Sequence, residues 1–124
     1  MAAREETDFP RADHAWTEVR TRESIEAMPW EPFGTVGGVR QRVLWKAGDS
    51  YAGLMRLEPG ASVASHTHRR AHHHVWVVNG ECTTLGAPVT EGAYVHVPAG
   101  VRHEIEGVGP NGCTLFYMYL REPA

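Results

Sequence analysis

Seven of the eight histidines lie between His66 and His103, and five of them fall within "SHTHRRAHHHV", residues 65–75. Residues two apart on a β-strand share a face, so His66 and His68 can point the same way about 7 Å apart along the chain, a usable pair of metal ligands. Imidazole suits Fe, Ni, Cu and Zn, whereas Mg or Ca would call for carboxylates and carbonyls, which this cluster lacks. The plain alternative is that "AHHHV" is a solvated strand end, since an isolated histidine usually binds nothing. His96 and Tyr94 alternate on one face of "AYVHV" before Pro98 and are the candidates for proton transfer, although packing is the commoner role for such residues. Arg69 and Arg70 could draw an anionic substrate to the site, or form a solvated turn.

Positioning these groups requires a frame. The 124 residues fit one compact domain. Residues 1–38 read as an N-terminal arm: they show little periodicity, "PWEPFGTVGG" is turn-rich, and "TRESIEAM" allows a turn or two of helix stopped by Pro29. Residues 39–124 read as a barrel. "RQRVLWK", "YAGLMRLE", "HVWVV", "AYVHV" and "CTLFYMYL" are short runs rich in β-formers, broken at "AGDS", "PG", "NG" and "PAG". That punctuation is the signature of an all-β antiparallel sandwich or barrel. Trp45, Tyr51, Trp76, Phe116, Tyr117 and Tyr119 are expected to fill the barrel or a face between subunits, with Met55 and Met118 in the core. Trp16, Trp30 and Phe33 need burial that the arm cannot supply, so it is expected to wrap across the barrel or a partner.

Composition excludes several classes. A net charge of −3 gives no basic face for nucleic acid. Eight of the fifteen acidic residues precede position 32, so the remainder of the chain is close to neutral before its histidines are counted. No apolar run is long enough to span a bilayer, and the acidic, polar start lacks the form of a secretory signal, so the expected location is the cytoplasm. Cys82 and Cys113 form no CxxC pair and read as small strand or core residues.

The segment "GASVASHTHRRAHHHVWVVNG", Gly60 to Gly80, resembles the first motif of the cupin superfamily: Gly, five residues, HxH, a short gap, a third ligand that is usually Glu, six residues, Gly. "GAYVHVPAGVRH", Gly92 to His103, resembles the second: Gly, five residues, Pro-x-Gly, two residues, His. The resemblance covers about residues 40–120. It implies a single-domain cupin, a double-stranded β-helix or jelly-roll barrel, holding one divalent transition metal (Fe, Zn or Ni) with His66, His68 and His103 on three ligand positions. Counting back seven from Gly80 places His73 where the family usually has its carboxylate. Alternation gives His72 and His74 one face and His73 the other, so only one set can look into the barrel; the spacing selects His73, leaving His72 and His74 to orient ligands or to face outward with Trp76. The last motif position, usually Asn, is Gly107 here.

Exchanging a carboxylate for neutral imidazole leaves the ion its full charge and makes it a stronger Lewis acid. This favours a chelating small-molecule substrate such as a diketone or hydroxy-ketone. A six-coordinate ion keeps two positions open beside four imidazoles, whereas tetrahedral zinc would be closed and structural. By family analogy the chain is a dioxygenase of diketone or hydroxy-ketone type, a non-redox Zn or Ni cyclase or isomerase of polyketide type, or a non-catalytic sensor that holds a metal or ligand. A homodimer is expected from the same resemblance.

Overall fold

The computed structural model describes residues 17–121, so His14 and Trp16 lie outside the described residues. A short helix, α1 (Arg22–Glu26), is followed by nine strands: β1 (Glu31–Pro32), β2 (Val39–Ala47), β3 (Ser50–Leu57), β4 (Val63–Thr67), β5 (Ala71–Thr84), β6 (Ala87–Thr90), β7 (Tyr94–Val97), β8 (Arg102–Ile105) and β9 (Cys113–Arg121). Apart from α1 the described chain is all-β. α1 starts where Thr21 Oγ1 accepts the Ser24 N–H at 3.1 Å, carries an Arg22–Glu26 pair one turn apart, and gives way to Pro29.

Seven strands form one antiparallel sheet in the order β1-β2-β3-β9-β5-β6, with β7 also paired to β5; β4 and β8 form a second, two-stranded sheet. β9 shows why the sequence folds this way. Its alternate residues Cys113, Leu115, Tyr117 and Tyr119 are buried and those between are half-exposed, the period-2 pattern of a strand with one face on a core. Leu57, Val77 and Ile105 meet them from β3, β5 and β8. Opposite Tyr117, Gly53 leaves room for the ring, because a Cβ there would stand 2.8 Å from the Tyr117 hydroxyl. That hydroxyl donates to Gln41 Oε1 at 2.9 Å, so the polar end of a fully buried tyrosine is satisfied.

Two features depart from the sequence reading. "NG" at Asn79–Gly80 is not a turn: β5 runs through it for 14 residues, from Ala71 to Thr84. The ladder with β9 shifts register between Val77 and Asn79, Gly80 takes φ +79°, and its α-carbon lies so close to the Gly112 carbonyl that no side chain fits. This is a bulge, and it lets β5 pair with β7 over residues 73–76 and with β6 over residues 81–84. Strands β4, β6 and β8 have too few large apolar residues to stand out as runs, yet β4 and β8 carry His66 and His103, and His68 directly follows β4.

Of the segment read as an arm, the described residues 17–38 reach the barrel. β1 pairs with β2, and Phe33 and Val36 pack against the core. Arg42 lies over the Trp30 ring at 4.1 Å and donates to the Met28 carbonyl at 2.8 Å. Among the described residues, no helix is long and apolar enough to cross a membrane. Cys82 and Cys113 are free thiols, both buried.

Candidate metal centre

The pairing of β4 with β8 sets His66 directly opposite His103, and His68 follows at the end of β4. Each of the three offers a ring nitrogen, and these lie within 4.8 Å of one another. Backbone carbonyls fix two of the tautomers. His66 Nδ1–H donates to Ala64 O at 2.7 Å and His103 Nδ1–H to Val101 O at 3.1 Å; a carbonyl can only accept, so in the neutral rings both Nε2 atoms are left as lone pairs. This is how metal-ligating histidines are usually held.

His73 points inward from β5 and is 4% exposed. Its Nδ1 lies 3.2 Å from His103 Nε2, which puts it in contact with the cluster without joining the three-way group. Because His103 Nε2 accepts there, His73 Nδ1 carries the proton and its Nε2 is a lone pair. That atom and His68 Nε2 are buried with no hydrogen-bond partner, a costly arrangement for polar atoms and one that suits ligands to a cation. Burial, reinforced by charge on neighbouring histidines, pushes His73 down to about 3 and His68 to about 4; His103 is also lowered, chiefly by burial. All three are therefore neutral imidazoles at pH 7. The donor set fits a borderline transition ion.

From the sequence alone Tyr119 is no more than a strand-filling aromatic. It stacks on His73 at 4.3 Å and 18° and lies 4.5 Å from the His68 ring, so it fixes the orientation of both. The signal was its register opposite His73, which needs the β5–β9 pairing to be known.

Two spaces adjoin the cluster. Inside the barrel, His73 and His103 share with Val75, Cys82, Val97 and Leu115 an apolar cavity of about 20 Å³, room for about one water. At the mouth, a cavity of about 460 Å³ is lined by His68 with Asp49, Thr67, Arg69, Arg70 and Arg121. Arg121 pairs with Asp49, whereas Arg69 and Arg70 form no ion pair among the described residues. The mouth is therefore cationic.

The structure does not bring His96 and Tyr94 to this cluster. Val95 and Val97 of β7 face inward, so Tyr94 and His96 face out, both exposed, beside His74 and His72. Strand alternation, which correctly puts Tyr94 and His96 on a common face, does not say which face that is.

A jelly-roll barrel with histidines gathered on β4, β5 and β8 defines a cupin. The chain belongs to the ChrR cupin-like domain family, whose model matches residues 18–121. None of the curated proteins compared with the chain matches it. Among solved structures, it resembles an RmlC-like cupin from Shewanella frigidimarina at 27% identity and TM-score 0.67, over 78% of this chain and 86% of that one. The polyketide cyclase RemF from Streptomyces resistomycificus superposes with TM-score 0.71 at 17% identity, over 85% and 83%. The anti-sigma ChrR of Rhodobacter sphaeroides, in complex with SigE, does so with TM-score 0.62 at 23% identity, over 77% of this chain and 50% of that one.

Proposed function

We propose that this cupin is a metal-dependent enzyme of dioxygenase type acting on an anionic, chelating small molecule, the enolate of a diketone or hydroxy-ketone. His66, His68, His73 and His103 would hold one Fe, Zn or Ni ion. The observation that carries this reading is the pair of buried, unpartnered Nε2 atoms of His68 and His73 beside the His66–His103 pair. When bound, the ion supplies Lewis acidity and, if it is iron, one-electron exchange with dioxygen. The chain's own residues do the rest. Four neutral imidazoles leave the site's positive charge uncompensated, so an enolate is favoured over a neutral ketone. Arg69 and Arg70 add positive charge where an organic anion enters, and the nearly filled interior beyond His73 keeps it at the mouth. In the overall reaction one dioxygen is consumed for each carbon–carbon bond broken, and both oxygen atoms end in the acid and carbonyl products.

Tag-free protein is to be loaded with Fe(II), Zn(II) or Ni(II) and offered acetylacetone under air and under nitrogen. Oxygen uptake with the iron form alone supports the proposal; turnover under nitrogen with zinc or nickel indicates a cyclase or isomerase instead. A second reading, a regulatory domain that holds a metal without turnover, is favoured by membership of the ChrR cupin-like family. Metal binding with no turnover in any arm supports that reading.

A further inference from the structure

The histidines that the barrel interior leaves over are gathered on one patch of the outer face. We propose that His74 and His96, with His72 beside them, form a second transition-metal site, separate from the barrel cluster. β5 and β7 place His74 directly opposite His96. Their rings stack at 4.6 Å and 12°, and His72, two residues along the same face, lies 5.6 Å from His96 at 29°. The patch is separate from the interior because the alternating neighbours His73, Val75 and Val97 are buried.

The geometry suits chelation. Opposed cross-strand residues have Cβ atoms about 4.5–5.5 Å apart, close enough for two imidazoles to converge on one ion with bonds of about 2.0–2.1 Å. His96 is exposed and His74 half-buried, so a modest turn of each ring converts the stack into a bite. His74 Nδ1 lies 2.6 Å from the Tyr94 hydroxyl; with Nδ1–H donating and the hydroxyl oxygen accepting, Nε2 is left as the ligating lone pair. This is the role that carbonyls play for His66 and His103 inside. All-imidazole donors select Cu(II), Ni(II) or Zn(II), with Cu(II) bound most tightly, over Mg or Ca.

Calorimetric titration of Cu(II) into metal-free, tag-free full-length protein tests this. Wild type should take two equivalents, the His74→Ala/His96→Ala protein one, and the His66→Ala/His103→Ala protein one. If the last variant fails to fold, wild type pre-loaded with one equivalent of Zn(II) takes its place: Cu(II) should then broaden the amide NMR signals of Tyr94 to His96 and of Trp76, which packs 6.2 Å from the Tyr94 ring. A single equivalent in wild type that survives in His74→Ala/His96→Ala, two equivalents surviving in that variant, or broadening elsewhere would overturn the proposal. Failure of the barrel site alone would instead remove the equivalent that His66→Ala/His103→Ala removes and leave the outer one.

Discussion

Acid should weaken the metal-free fold through His73, by an amount the structure sets. In the unfolded chain this imidazole titrates at its ordinary 6.5; in the barrel, burial and then the charges of His103, His68, His66 and His74 push it down to about 3. Between those two values the unfolded state holds a proton that the folded state refuses, so stability is complete above pH 6.5 and is lost progressively as pH falls towards 3. At pH 5, 1.5 units below the unfolded value, the loss from His73 is about 2 kcal/mol, at about 1.36 kcal/mol per unit. His68 acts in the same direction, by less, because it is partly exposed and water screens it. Urea titrations of metal-free wild type and His73→Leu at pH 7.5 and pH 5 isolate the effect, since every other titrating group is common to both. With a slope of about 2 kcal/mol per molar urea, the wild-type midpoint should fall by about 1 M more than that of the variant. Equal falls in the two proteins would refute the view of His73 as a buried neutral imidazole.

Gly80→Ala should cost about 2 kcal/mol or more, because the new Cβ overlaps the Gly112 carbonyl and meets Cys113 Cα at 2.9 Å on a backbone with φ +79°; thermal unfolding measures it. Tyr117→Phe should cost about 1 kcal/mol, the hydrogen bond to Gln41, with the barrel and metal binding unchanged; denaturant unfolding and a metal titration read both parts. Arg69→Glu with Arg70→Glu should weaken binding of acetylacetonate to the metal-loaded protein by roughly tenfold at low salt and by less at high salt. An unchanged affinity would mean that the cationic mouth does not select the substrate.

The all-β class was legible in the sequence because β2, β3, β5, β7 and β9 each carry a run of β-branched or aromatic residues. Strands β4, β6 and β8 were not, since "VASHT", "APVT" and "RHEI" each bring a single large apolar residue to the core, Val63, Val89 and Ile105, which is too little to read as a run. The Asn-Gly step misled because the dipeptide serves both hairpin turns and bulges; only the close approach of Gly112 distinguishes them. Histidine spacing brings His66 and His103 to one place through two glycine-anchored motifs, whereas the contact of Tyr119 with His73 depends on strand register, which no local pattern encodes. The facing of His96 and Tyr94 was hidden for a related reason: alternation gives two faces, and the pairing of β7 with β5 decides which one is buried.

The central claim is that four imidazoles, His73 among them, hold one ion in the barrel. X-ray absorption of the His74→Ala/His96→Ala protein loaded with one equivalent of Zn(II) or Fe(II) tests it directly, with His73→Ala in the same background as the comparison. The account predicts a shell containing four imidazole nitrogens that falls to three on His73→Ala. A shell of three imidazoles that His73→Ala leaves unchanged would contradict it.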